Sequence, residues 1–275
     1  MKRARGAALL LVMWLMLLLS GLVAGYAMAA RIESLQGNGM ARGLVAQQAA
    51  RAGIEYAVLR QLDPDPARRW AVDGRAYRFD FDGIPVDVEV RDEAAKIDLN
   101  AASVDLLAAL FMQLGEPEES AKRLAGAIAD WRDPDALLQP AGGAEDADYA
   151  AAGLAWGAKD APFESVSELL QVLGMRPALH AAAAPHLTVF VGSALPNAAL
   201  ADAVVRAAMG LDAVTEPVDP DAPPMQGSGT YSIDSRARLP DGRSARLSVI
   251  LRMGGNGLPG STYTPLRWQA GGTAQ

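Results

Sequence analysis

The 275-residue chain carries 25 Lys and Arg against 32 Asp and Glu, a formal charge of −7 and a pI near 4.9. That balance argues against a protein built to bind anionic surfaces. With no Cys, the chain has no disulfide framework and is compatible with either redox compartment.

The chain opens MKRARGAALLLVMWLMLLLSGLVAGYAMAA. After Arg5 the next charge is Arg31, which leaves residues 6–30 as an uninterrupted apolar run. A bilayer core needs about 20 apolar residues in a helix. A cleaved secretory signal has a core of only about 7–15. The small residues at 27–30 look like a signal cut site, but the run is too long for an ordinary signal. Lys2, Arg3 and Arg5 hold the N-terminus on the cytoplasmic side, so the rest of the chain lies outside the cytoplasm.

Residues 31–62 continue the rod. Leu44, Ala46, Ala49, Ala50, Ile54, Ala57, Val58 and Leu62 recur at three- and four-residue steps, the signature of a helix with one buried face. Gly37, Gly39, Gly43 and Gly53 each weaken it by about 1 kcal/mol and mark a kink or melted stretch near residues 37–43. The prolines of DPDP, residues 63–66, stop it.

YRFDFDGIPVDVEVRDE follows, alternating about Asp82-Gly83, a pair suited to a tight hairpin turn. Phe79, Phe81, Val86, Val88 and Val90 are expected to share a core. KIDLNAASVDLLAALFMQLG reads as a helix capped by Asn100 or Ser103. EESAKRLAGAIADW gives a second helix burying Leu124, Ala127, Ile128 and Trp131. SVSELLQVLGM gives a third, capped by Ser165 or Ser167 and ended by Gly174, and a short fourth follows. The start of this module, IDLNAA before LL, is similar to helix-hairpin-helix proteins, which bind DNA phosphates. Between Asp92 and Leu170, however, 16 acidic residues oppose 5 basic ones, a net of −11. Phosphate contacts need cations, so nucleic acid is excluded as a partner.

Within that module Asp130, Asp133, Asp135, Glu145, Asp146 and Asp148 crowd a stretch broken by Pro134, Pro140, Gly142 and Gly143. Six carboxylates so close repel one another. A hard divalent cation resolves the repulsion, and calcium accepts six to eight oxygens in irregular loops. The spacing is not that of an EF-hand, and capped, solvated acids are the alternative. Glu164 is a further possible ligand. His180 and His186 have no carboxylate or Cys partner close in sequence, and structural or surface roles suit them. Trp131 and Trp156 flank the acidic loop as packing anchors. Late in the chain, TYSIDSRARLPDGRSARLSVILRM is a second hairpin turning at Pro240, Asp241 and Gly242. Residues 215–230 read as a Pro- and Gly-rich linker, and the tail after residue 254 as loose.

A short basic leader ending in Gly, then an apolar helix running into an amphipathic one, resembles the type IV pilin and pseudopilin class. The resemblance implies cleavage by a prepilin peptidase after Gly6, leaving Ala7 as the new N-terminus. The helix would then be retained as a membrane anchor and, later, as filament core. Most of that class carries Glu at the fifth mature position, understood to pair with the terminal amine of the subunit above; here that position is Leu11. A carboxylate inside a membrane is expensive and kept for a purpose. A subunit without it fits the very tip, as in the minor pseudopilin K family of type II secretion. KIDLNAA, AIADWRDPD, GAEDADY and DAPFESVSELLQVLGM, in that order, resemble that family's helical domain, so that roughly residues 1–62 and 92–190 are covered.

What the resemblance implies is an α+β fold: a pilin-like N-terminal helix packed on a small antiparallel sheet, with a large helix-hairpin-helix-like domain inserted. The divisions are a leader at 1–6, the transmembrane and amphipathic helix at 7–62, the first part of the sheet at 63–97, the helical domain at 98–190 and the last hairpin and tail at 191–275. It further implies one or two calcium ions held among Asp130, Asp133, Asp135, Glu145, Asp146 and Asp148. The protein would be a non-enzymatic tip subunit of the inner membrane, single-pass, with a periplasmic head. Its partners would be minor pseudopilins I and J, other pseudopilins and the prepilin peptidase. A minor pilin of a type IV pilus, or a membrane-anchored enzyme using the acidic cluster, are the alternatives.

Overall fold

The chain is described by a computed structural model, covering residues 5–140, 142–212, 227–255, 257 and 260–271. The basic leader residues Lys2 and Arg3, most of the 215–230 linker and the last four residues lie outside it.

One unbroken helix, α1 (Arg5–Gln61), begins the fold. No interruption occurs at 37–43. Three glycines subtract about 1 kcal/mol each, too little to break a helix already propagating from both sides. The buried stripe of α1 is Ala46, Ala49, Ala50, Ile54, Ala57 and Val58. Leu44 and Leu62, expected on that face, are exposed, because at 3.6 residues per turn both lie about 130° round the helix from the middle of the buried stripe. Gly53 lies on the stripe for a steric reason. A Cβ there would overlap Ser235 Oγ and lie 2.9 Å from Val86 Cγ1 and 3.0 Å from Val88 Cγ2.

β1 (Asp73–Phe81) and β2 (Ile84–Asp92) form the first hairpin. Its two-residue turn puts Asp82 at φ 54° and Gly83 at φ 77°, the left-handed pair that matches strand twist. Val86, Val88 and Val90 are fully buried, and Phe79 packs against them. Phe81 is exposed instead, since it closes the hairpin beyond the reach of α1. The chain then leaves the sheet through β3 (Ile97–Asp98) and enters a helical unit.

In that unit α2 (Val104–Gln113) is capped by Ser103, whose side chain accepts from Leu106 N at 3.2 Å. α3 (Glu118–Arg132) buries Leu124, Ala127, Ile128 and Trp131. A short α4 (Asp146–Ala151) rises out of the acidic segment. The expected third helix is a single 3-10 segment, Val166–Gln171, held by Ser165 and Glu168. Apolar spacing there satisfied a helical pattern over too few residues to complete α-helical turns before Gly174, at φ 88°. α5 (Pro177–Ala183) leads into β4 (Leu187–Thr188), which pairs in parallel with β3 and brings the chain back to its point of entry. α6 (Ala203–Ala208) packs Val205 and Ala208 into the same core.

β5 (Thr230–Arg238) then pairs antiparallel with β2, and β6 (Ser244–Met253) with β5. The tail is not loose throughout: β7 (Tyr263–Gly271) adds a fifth strand to β6. Its Pro265 is accommodated at an irregularity on the sheet edge, where a missing N–H is tolerated. Tyr263 donates to Glu55 Oε1 at 2.9 Å and Trp268 lies under the Arg51 guanidinium, so α1 orders this strand. The sheet order is β1-β2-β5-β6-β7. The fold is α+β, with one core between α1 and the sheet and a separate one in the helical unit inserted between β2 and β5.

Candidate functional site

The acidic segment departs from the C-terminus of α3. Asp130 sits on its last buried turn, and Asp133 is the residue that caps it. The loop then folds back over the helix. Asp130 Oδ2 accepts from Ala144 N at 2.8 Å and Oδ1 from Gln139 N at 3.2 Å. Close approach here needs glycine. A Cβ at Gly143 would overlap the Asp130 carboxylate, and one at Gly126 would overlap the carbonyl of Gly142.

The return of the loop brings Glu145 to the same point. One carboxylate oxygen each from Asp130, Asp133 and Glu145 lie within 4.8 Å of one another. Asp133 Oδ1 and Glu145 Oε1 are buried without a hydrogen-bond partner among the described residues. The electrostatics record the crowding. Burial pushes Glu145 up to about 7, helped by the charges of Asp130, Asp133, Asp160 and Asp135. Burial also raises Asp130, and burial followed by the charge of Asp135 raises Asp133.

The other acids have different duties. Asp135 is exposed and accepts from Leu137 N at 2.9 Å. Asp146 accepts from Ala158 N at 3.1 Å and pins the following loop. Asp148 accepts from Glu145 N at 3.0 Å and closes the first turn of α4. Glu164 is exposed and pairs with Lys159 at 3.5 Å. Asp160, which the spacing of the dense acidic run did not single out, belongs to the field of the centre. Its left-handed backbone, φ 53°, is the local signal of a specialised position.

The three convergent carboxylates suit a hard cation. They offer only oxygen ligands, two of them buried and unpartnered among the described residues, at a point where like charges raise each other's pKa. Trp131 anchors the site from below, against Tyr149 and Phe163. Trp156 is half exposed and donates to Gln171 O at 3.2 Å, so it is not a buried anchor. His186 does have a carboxylate partner, which sequence distance concealed: its Nδ1 lies 2.7 Å from Asp202 Oδ2, at the cap of α6.

At the other end of the molecule, Gly6 and Ala7 lie on the first turns of α1. From Ala8 onwards this helix is long and apolar enough to cross a membrane, with a mean hydropathy of 2.4 in its apolar window and none of that window buried. Leu11 is exposed on this stretch.

Residues 87–192, which take in the later part of β2 and the inserted helical unit as far as β4, short of α6, match the family described as type II secretion system (T2SS), protein K. Both the acidic centre and the parallel β3–β4 pair fall inside this matched stretch. The whole chain is similar in fold to a chain of the crystal structure of the GspK-GspI-GspJ complex from the enterotoxigenic Escherichia coli type 2 secretion system. The TM-score is 0.62 at 17% identity, over 86% of this chain and 99% of that one. That likeness in fold takes in the long helix and sheet as well as the matched stretch. No curated protein matches the chain.

Proposed function

We propose that this protein is the minor pseudopilin K of a type II secretion system, acting without catalysis at the tip of the pseudopilus. The observation that carries the reading is the protein K domain inserted into a sheet packed on a long N-terminal helix. In this reading a prepilin peptidase cuts between Gly6 and Ala7. The apolar part of α1 anchors the subunit in the inner membrane, single-pass, with the head in the periplasm. During assembly that helix exchanges lipid for the helices of neighbouring pseudopilins, an exchange between two apolar surroundings. The partners are minor pseudopilins I and J, with which the subunit starts a filament that exports folded proteins across the outer membrane. Leu11 supports the terminal position, because it offers no carboxylate to the amine of a subunit above.

Calcium forms part of the proposal. Asp130, Asp133 and Glu145 would hold it, with Asp135 and Asp160 adding negative field. The ion would supply charge neutralisation, fixing the loop to α3. Asp146 and Asp148 would act behind them by ordering the loop and α4.

The deciding experiment is mass spectrometry of the mature chain from membranes. An N-terminus at Ala7 is expected; one after Ala29 or Ala30 overturns the reading. Deletion should abolish secretion of folded proteins, and the tagged subunit should co-purify with minor pseudopilins I and J. Detectable turnover of a substrate by the head, with secretion intact, would favour an enzyme instead.

A further inference from the structure

The outward face of the sheet, opposite α1, is basic on an otherwise acidic chain. Along β2, β5 and β6 its arginines outnumber its carboxylates. Strand register sets Asp87 beside Arg236, and Arg236 directly opposite Arg246. The neighbouring carboxylates are already taken. Arg78 holds Asp87 through two bonds of 2.6 and 2.9 Å. Arg246 holds Asp234 Oδ1 through Nε at 3.0 Å and Nη2 at 2.8 Å. Arg236 and Arg238 are exposed and have no hydrogen-bonded partner among the described residues. Their attraction to Asp87 acts only through space. Across the ladder from Arg236 stands a like charge, Arg246, which Asp234 already holds, so Arg236 and Arg238 are the arginines of this face left to an external anion. Arg236 also lines a shallow groove of about 330 Å³ with Arg78, Asp87, Glu89, Asp234 and Arg246.

We infer that this groove and the strand beside it dock an acidic segment of a partner subunit in the tip complex, with its carboxylates seated on Arg236 in the groove and on Arg238 two residues further along β5. The inference rests on the minor pseudopilin reading. Guanidinium groups pair with carboxylates in two-point geometry. The interleaved Asp87, Glu89 and Asp234 repel a uniformly anionic surface such as a membrane. They favour a protein whose charges alternate in step with the groove.

The test uses the full-length chain, wild type and Arg236→Glu/Arg238→Glu, co-expressed with minor pseudopilins I and J of the same secretion system and purified in detergent at low and high NaCl. At low salt the variant should bind at least tenfold more weakly, and wild-type binding should fall with salt. Arg236→Gln/Arg238→Gln should give an intermediate loss. The isolated variants should melt with the wild type, because Arg236 and Arg238 are exposed and make no hydrogen bond among the described residues. Equal complex formation by wild type and both variants overturns the inference and leaves the minor pseudopilin reading standing. A wild-type chain that forms no complex overturns that reading and the inference with it. Self-association of the chain alone, lost in the variants, assigns the groove to a second copy and also overturns the inference.

Discussion

Replacing Glu145 with Gln removes a carboxylate that the fold holds against its own neighbours. Its pKa rises from 4.5 to about 7, burial being the larger cause and the surrounding aspartates the next. The folded chain therefore binds this proton more tightly than the unfolded chain does. Stability contributed by the protonated group is complete below about pH 4.5 and is lost as pH climbs towards 7. At 1.36 kcal/mol per unit, the full shift corresponds to about 3 kcal/mol. Water at the mouth of the loop screens it to about 1–2 kcal/mol. In EGTA, the helical unit should therefore melt about 3–8 °C lower at pH 8 than at pH 4.5 on this account. Calcium acts in the opposite sense, since it binds the ionised site. At a hundred times its dissociation constant it adds about 2.7 kcal/mol, so its effect should be large at pH 8 and small at pH 4.5. Thermal melts of the full-length chain in detergent, followed by tryptophan fluorescence, read both quantities, because Trp131 is 3% exposed beneath the site. Glu145→Gln should flatten the metal-free pH dependence and abolish most of the calcium shift. A variant with the wild-type pH slope, or with an undiminished calcium response, would refute the assignment of these charges to one centre.

Further expectations follow from packing. Gly53→Ala should destabilise the chain by about 2–3 kcal/mol, because overpacking against Ser235, Val86 and Val88 outweighs the helix propensity gained. Gly43→Ala, with nothing within 4 Å of the new methyl, should stabilise it by about 0.5–1 kcal/mol. Opposite signs in denaturant titrations separate packing from propensity, and equal signs would contradict the helix-on-sheet contact. Ser235→Ala removes a buried hydroxyl that has no hydrogen-bond partner among the described residues and should be neutral or stabilising. In the double variant it should recover part of the Gly53→Ala loss, as a double-mutant cycle would show. Gly143→Ala drives a methyl into the Asp130 carboxylate and should eliminate the calcium-dependent melting shift while leaving the sheet core folded. Asp92→Ala strands the donors of Ala94 N, at 2.8 Å, and of Ser228 N and Oγ, at 2.6 Å. It should cost about 2–4 kcal/mol and raise amide exchange where β2 passes into the helical unit.

Much of the architecture was legible in residue pattern, because that pattern reports local geometry. The apolar run and the Ala stripe fixed α1. Asp82-Gly83 located the first hairpin, whose conformation needs two left-handed residues in succession. Ser103 and the periodicity of α2 and α3 located the helices of the inserted unit. Asp130, Asp133 and Glu145 were among the acids singled out by crowding alone. Crowding could not sort them from Asp146 and Asp148, because a hydrogen bond to a backbone N–H leaves no trace in composition.

What depended on tertiary structure was whatever arises from residues far apart in the chain. β7 forms because α1 supplies Glu55 and Arg51 to Tyr263 and Trp268, contacts that its own Gly-rich neighbourhood does not announce. Gly53 looked like a weak point in a helix and is instead the place where helix and sheet come close enough to exclude a Cβ. Asp160 and Glu145 share a field only after the loop has closed. Likewise, arginines that look scattered along β2, β5 and β6 become one basic face only when antiparallel register stacks them. Periodicity along a chain specifies which face a residue takes within its own element, whereas distance between elements is decided by packing. The long helix and its apolar surface belong to the first kind of information; the acidic centre and the arginine groove belong to the second.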